Sequence, residues 1–204
     1  MKAYSRGFTL IELAVTLAIV AILYAQAAPS FTAWVHNAQI RTAAESMQSG
    51  LQLARAEAMR RNRSVLFWLI STANPARADW LIGCSTPVGA GAVPEAAGDC
   101  PGVSTSAAVP ANAPPINWIQ RQAAAGQQTT FPQVSTPNNA TVVTFSSLGM
   151  VVPNSDGTAS ISEIDVIDPA IATAQARPLH VTVSGGQIRM CDPNLNPSTD
   201  PRGC

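Results

Sequence analysis

A chain of 204 residues has room for one membrane anchor and one compact soluble domain, not for two independent cores. Its 12 basic groups balance its 12 acidic ones, which excludes a nucleic-acid-binding polyelectrolyte in the global sense. Cys84, Cys100, Cys191 and Cys204 lie in the later part of the chain, with no Cys-x-x-Cys and no histidine at ligand spacing, so disulfides in an oxidising compartment are expected and a metal centre is not.

Residues 1–7 carry Lys2 and Arg6 and lead into an apolar run from Phe8 to Ala28, interrupted only by Thr9, Glu12, Thr16, Tyr24 and Gln26. At a rise of about 1.5 Å per residue such a helix spans about 30 Å, the thickness of a bilayer core. Lysine and arginine stand ahead of the run and none follows until Arg41, so the positive-inside bias keeps the N-terminus cytoplasmic and sends the remainder outward. A cleaved secretory signal shares the basic start and apolar centre, and Ala25-Gln26-Ala27-Ala28-Pro29 would serve as its cleavage site. Glu12 argues for a retained anchor. A carboxylate in hydrocarbon costs about 2.5–3.5 kcal/mol and is normally kept where it meets a partner.

The stretch Gly7-Phe8-Thr9-Leu10-Ile11-Glu12 resembles the processing motif of type IV pilins and type II secretion pseudopilins. The resemblance implies that a prepilin peptidase cuts between Gly7 and Phe8 and that Phe8 is then N-methylated. It also gives Glu12 an assembly role, because in such filaments this glutamate meets the positively charged N-terminus of a neighbouring subunit. Pro29 falls where many members of the family carry a helix-kinking proline.

Helical periodicity continues past the anchor. Ile40, Ala43, Met47, Leu51, Ala54 and Ala58 recur at threes and fours, while Arg41, Glu45, Gln48, Gln52 and Arg55 occupy other faces. Glu57 precedes Arg60 and Arg61 in the orientation that favours helical ion pairs. One helix is therefore expected from about residue 9 to 61, bent near Pro29. Residues 8–28 form its transmembrane and filament-core part and 29–62 its amphipathic half. The stretch "RRNRS" (60–64) ends it, a basic cluster that reads as a solvated helix end suited to the dipole.

From 63 to 204 the chain reads as a β-rich head. "SVLFWLI" (64–70), "DWLIGCS" (79–85), "TVVTFSSLGMVV" (141–152), "ASISEIDVID" (159–168) and "PLHVTVSGGQIRMC" (178–191) are strand-like runs broken by Gly, Asn, Asp and Pro. Gly185-Gly186 reads as a two-residue hairpin turn. Ser184 then faces Gln187, Val183 pairs with Ile188 and Val181 with Met190 on one face, and Thr182 pairs with Arg189 on the other, so Arg189 points outward. Residues 87–116, nearly all Ala, Pro, Gly, Val and Ser, read as a surface loop. Four cysteines allow three pairings, and locality favours Cys84–Cys100 and Cys191–Cys204. The first would close a 17-residue loop, worth about 3 kcal/mol in the chain-entropy model. The second would pin the Pro-rich tail to the last strand.

The order of long helix, two strands, variable loop, later strands and cysteine-tied tail resembles the GspH/FimT branch of pilin-like proteins. "LQLARAEAMRRNRSV" (51–65) and the ending "IRMCDPNLNPSTDPRGC" carry that resemblance, whereas residues 87–140 match nothing in it. Some members on type IV pili bind DNA through a Gly-Arg-x-Arg element. Here the stretch is Gly186-Gln187-Ile188-Arg189, which leaves Arg189, with Arg202 as its nearest helper and Asp192 and Asp200 alongside to repel phosphate.

No catalytic constellation, phosphate-cradling loop or nucleophile elbow appears, so no enzyme, cofactor or metal site is expected. His36 reads as a helix-surface residue and His180 as a strand residue on the outer face. The expected fold class is α+β, a long N-terminal helix, transmembrane in its first half, packed on an antiparallel sheet. The resemblance implies a minor pilin-like structural subunit of a type IV pilus, in an initiation or tip complex. The alternatives are a minor pseudopilin of a type II secretion system and a pilus-associated DNA-binding subunit. Its partners would be other pilins or pseudopilins, the prepilin peptidase and the inner-membrane assembly platform. Its place would be the bacterial inner membrane, single-pass with a periplasmic head, and then the filament.

Overall fold

The computed structural model describes residues 9–70, 76–85, 102–103, 119–122, 132–155 and 157–204. One helix, α1, runs from Leu10 to Arg61. Thr9 caps its start from an extended conformation, and Asn62 closes it in the left-handed region at φ 52°, its N–H bonded to the carbonyls of Ala58 and Met59. Asparagine tolerates that conformation better than most side chains. The helix passes through position 29 without interruption. The side chains of residues 26–29 lie outside the described residues, and the expected kink at Pro29 lies with them.

The two halves of α1 differ in what covers them. Residues 10–25 are exposed on every face, whereas Ile40, Ala44, Met47, Leu51, Ala54 and Ala58 are completely buried. Ala44 replaces the expected Ala43, which packs only half-buried beside the core. At about 100° per residue, Ala44 lies about 40° from the Ile40 direction and Ala43 about 60°, so the stripe takes the closer of the two.

The head is largely antiparallel, as expected, and its strands divide into two sheets. Strands β1 (Val65–Leu69), β2 (Ala76–Arg77), β3 (Trp80–Ser85), β4 (Gly102–Val103), β5 (Gln120–Gln122), β6 (Gln133–Ser135), β7 (Val142–Phe145), β8 (Val151–Val152), β9 (Glu163–Ile167), β10 (Leu179–Ser184) and β11 (Gln187–Cys191) supply them. The first sheet runs β4-β3-β1-β7-β8 with β5 also on β3, and the second runs β11-β10-β9-β6-β2. All named pairs are antiparallel except β3 with β4. Strand β4 falls inside the stretch read as a loop, and the rest of 87–116 lies outside the described residues. Glycine and valine offered no alternating pattern there, so a two-residue strand made by pairing alone left no trace in the sequence.

Both sheets lie against α1, and a parallel bridge from Val142 to Ser160 ties β7 to the segment that leads into β9. Phe67, Phe145, Ile82 and Val143 from the first sheet and Ile164, Val166 and Val181 from the second share one core with the helix stripe. Gly50 makes the closest approach. A Cβ there would stand 2.8 Å from the Trp80 ring and 2.9 Å from that of Phe67, so only glycine lets this tilted aromatic pair reach the helix. Trp80 Nε1–H donates to Ser46 Oγ at 3.1 Å, which satisfies the one polar group of the buried indole.

Candidate assembly site

At the start of α1 the side chains of Thr9 and Glu12 complete a capping box. Thr9 N–H and Oγ1–H donate to Glu12 Oε2 at 3.0 and 2.9 Å, and Glu12 N–H donates to Thr9 Oγ1 at 3.3 Å. The carboxylate is thus fixed in the first turn, exposed, at the positive end of the helix dipole. The Thr-x-x-Glu spacing is a recognisable capping signal, so this contact was open to sequence reading and was missed. Beyond it Leu10, Ile11, Leu13, Val15, Leu17, Ile19, Val20, Ile22 and Leu23 stand exposed on a helix long and apolar enough to cross a membrane.

The junction between helix and head is held by two side chains of α1. His36 Nδ1 lies 2.7 Å from Asp168 Oδ2, whose side chain is fully buried. His36 is therefore a buried-pair residue, not the plain helix-surface residue expected. Its partner sits 132 positions away, beyond any local pattern. Asn37 Nδ2 donates to Gln175 O at 2.9 Å, and Arg177 N–H donates to Asn37 Oδ1 at 2.8 Å. Together they clip the segment after β9 to the helix. One turn earlier, Phe31 and Trp34 form an exposed aromatic pair with centroids 6.0 Å apart. Trp34 and Arg41 also line a groove of about 640 Å³ whose far wall includes Leu179, Met190 and Leu195.

At the other end of the chain Cys191 and Cys204 form a disulfide, Cα to Cα 5.2 Å. The backbone reinforces it: Asp192 N–H donates to Arg202 O at 2.7 Å and Cys204 N–H to Asp192 O at 3.3 Å. Arg189 reaches over from β11 and donates from Nη2 to Pro201 O at 2.7 Å and Gly203 O at 2.9 Å. Arg202 pairs with Asp200 at 2.8 Å and holds that carboxyl down at about 2. Both arginines considered for phosphate contact are thus engaged with the tail. Cys84 is buried and disulfide-bonded, and its expected partner Cys100 lies outside the described residues.

The basic end of α1 is also paired. Glu57 sits 2.6 Å from Arg60 and 2.7 Å from Arg61, and Arg60 first, then Arg61, pulls its carboxyl below the ordinary range against the opposing effect of burial. Arg55 Nε–H donates to Gly149 O at 3.1 Å, locking the β7–β8 turn onto the helix.

The family model described as Type II transport protein GspH matches residues 43–187, which takes in α1 from Ala43 onward and strands β1 to β10, and ends at the first residue of β11. The chain belongs to the GspH family. A second model, the prokaryotic N-terminal methylation motif, matches residues 2–23 and covers the exposed apolar start of this GspH-family protein. The type IV minor pilin FimU of Pseudomonas aeruginosa is similar at 18% identity in two crystal forms. The first covers 82% of this chain and 95% of FimU with a TM-score of 0.44, the second 78% and 94% with 0.42. No curated protein matches the chain.

Within the GspH-family chain, Gly7 and Phe8 lie outside the described residues, Glu12 stands at the exposed helix start, and Arg189 and Arg202 gather on the C-terminal tail. Among the described residues one further grouping has metal-ligand closeness: Glu163, Asp165 and His180, on neighbouring strands of the second sheet. It brings together residues from two separate runs, which no spacing along the chain announces.

Proposed function

We propose that this GspH-family protein is a minor pilin-like structural subunit of a type IV pilus, processed between Gly7 and Phe8 and built into the filament through its apolar helix. The observation that carries this reading is the contrast within α1. One half buries an apolar stripe under two sheets, and the other presents an apolar surface exposed on every face. Such a surface is satisfied first by the bilayer and then by equivalent helices of other subunits.

In this reading the bilayer is the inner membrane, with the head on the periplasmic side, where disulfides persist. Glu12 then sets register. Its carboxylate, poised at the helix start, pairs with the methylated amine at Phe8 of a neighbouring subunit, and a one-turn slip would leave both charges unmatched. The head contributes structure, with His36 and Asn37 fixing how the helix leaves it.

The test is a chromosomal deletion complemented with wild-type or Glu12→Ala protein. Wild type restores surface pili and Glu12→Ala does not, although both are cleaved to the same mature length. Normal piliation by Glu12→Ala would sink the assembly role. The family description also favours a second reading, a minor pseudopilin of a type II secretion system. Loss of secreted enzymes with intact pili in the deletion strain would select it.

A further inference from the structure

The β10–β11 hairpin lies along α1 with its two ends at different heights. Its Gly185-Gly186 turn abuts Gly149, whose carbonyl accepts from Arg55. At the other end Arg177, just before β10, donates its N–H to Asn37. Those two helix positions are about 27 Å apart, and Asn37 is the one nearer the apolar run. The groove of about 640 Å³ opens at this lower end, between Trp34, Ala38 and Arg41 of α1 and Leu179, Met190 and Leu195 opposite. It therefore occupies the underside of the head, on the side from which the anchor enters.

The depth of that underside follows from the helix rise. The apolar run ends at Ala28. Phe31 stands about 5 Å and Trp34 about 9 Å beyond it, and helical side chains lean back toward the N-terminus. A headgroup layer is about 5–8 Å deep on each side of the hydrocarbon. The exposed Phe31–Trp34 pair thus falls in that layer, where aromatic rings favour a bilayer. Arg177, tethered at the level of Asn37, is about 14 Å out, from where a long arginine can reach down to phosphate.

Arg177 lines the groove, is exposed, and among the described residues its guanidinium has no partner. Arg41 and Arg202 line it too, each in a solvated pair, with Glu45 and Asp200. Such pairs hold their partners weakly. The carboxylate in the lining, Asp192, is engaged by Asn194 N–H. An arginine fork matches phosphate oxygens two at a time, and Leu179, Met190 and Leu195 offer apolar surface to the glycerol and upper acyl carbons beside it.

We propose that this groove seats the phosphate of a phospholipid from the leaflet that the head faces, held by Arg177 with Arg41 behind it, while Phe31 and Trp34 lie among the neighbouring headgroups. The inference rests on the reading of α1 as a membrane anchor. The seat fixes how far the helix stands out of the bilayer, and the lipid leaves when the subunit enters a filament.

The test uses the full chain in vesicles of phosphatidylethanolamine and phosphatidylglycerol in equal parts. Lipid spin-labelled at the headgroup should quench a fluorescence component that Trp34→Phe lacks. Native mass spectrometry from maltoside micelles should show one retained phosphatidylglycerol, and no retained diacylglycerol with the same acyl chains. Arg177→Gln keeps the backbone bond to Asn37 and should weaken that retention at least about 10-fold. Phenylglyoxal should modify Arg177 in lipid-free micelles and spare it in vesicles. A chain that fails to float with the vesicles sinks the anchor reading and the seat together. A chain that floats but shows an unquenched Trp34, equal retention of diacylglycerol, or unchanged retention in Arg177→Gln overturns the seat alone. Arg177 that is modified in vesicles and spared only in sheared filaments assigns the groove to a neighbouring subunit, which also overturns it.

Discussion

His36 Nδ1 lies 2.7 Å from Asp168 Oδ2 where α1 enters the head. An ionised carboxylate only accepts, so the Nδ1–H donates, and Asp168 Oδ1 takes a second bond from Ala170 N–H at 2.9 Å. Replacing His36 by alanine leaves the buried oxygen without its strongest donor. The expected loss is about 1–3 kcal/mol, read from chemical denaturation of the full chain in detergent. Asp168→Asn retains an acceptor for His36 and should lose less. Equal stability of His36→Ala and wild type would show that water replaces the imidazole at no cost.

Gly50→Ala sets two effects against each other. Alanine is about 1 kcal/mol better than glycine inside a helix, but its methyl would stand 2.8 Å from the buried Trp80 ring. Overpacking a core costs about 1–3 kcal/mol, and Trp80 cannot retreat without breaking its bond to Ser46. Net destabilisation is expected, with Gly50→Leu worse still, measured as a lower unfolding midpoint.

Arg189→Ala tests what the hairpin arginine does. Its two bonds end on tail carbonyls, so hydrogen exchange at the amides of Asp192 and Cys204 should accelerate. Binding of duplex DNA, if any is seen at low salt, should not change. A variant that loses salt-sensitive DNA binding while its tail stays protected would restore the DNA-receptor alternative.

The Asp200–Arg202 pair predicts a titration. Asp200 is held at about 2, first by its side-chain bond to Arg202 and then by the Arg202 backbone N–H. Its folded value is depressed, so the pair favours the fold above the unfolded carboxyl value of about 3.9, and that contribution fades as pH falls through the folded value. Both side chains are solvated enough to keep the energy small. Arg202→Ala should therefore move the Asp200 carbon resonance midpoint up toward the ordinary 3.8 with little change in stability.

These contacts show which parts of the molecule the sequence made legible. The pairing of Ser184 with Gln187 through to Val181 with Met190 was readable residue by residue, because a two-residue Gly185-Gly186 turn leaves the register no freedom. The buried stripe of α1 was readable from the 3.6-residue period, down to an error of one position at Ala44. Division of the strands into two sheets was not, since β2 and β6 are short and pair across 57 residues, Ala76 with Val134. His36 with Asp168, and His180 with Glu163 and Asp165, escaped for the same reason. Polar contacts between distant segments follow from topology, and no local periodicity encodes them.

Thr9 and Glu12 allow the two roles of the assembly carboxylate to be separated. The carboxylate caps its own helix through both donors of Thr9, and the proposed filament contact uses its charge. Glu12→Gln keeps an acceptor for Thr9, since glutamine serves a capping box as well as glutamate does, but it removes the charge. Thr9→Ala removes the hydroxyl and keeps the charge, at a cost of about 1 kcal/mol in helix-start stability. If charge sets register, Glu12→Gln should be processed normally yet fail to enter filaments, and Thr9→Ala should assemble close to wild type. Quantitative immunoblots of sheared filaments against whole cells measure both. The reverse order, with Thr9→Ala failing and Glu12→Gln assembling, would mean that the glutamate acts by ordering its own first turn. A charge that matters only between subunits leaves the isolated helix almost unchanged, so helicity of the two variants in micelles separates these mechanisms independently of filament yield.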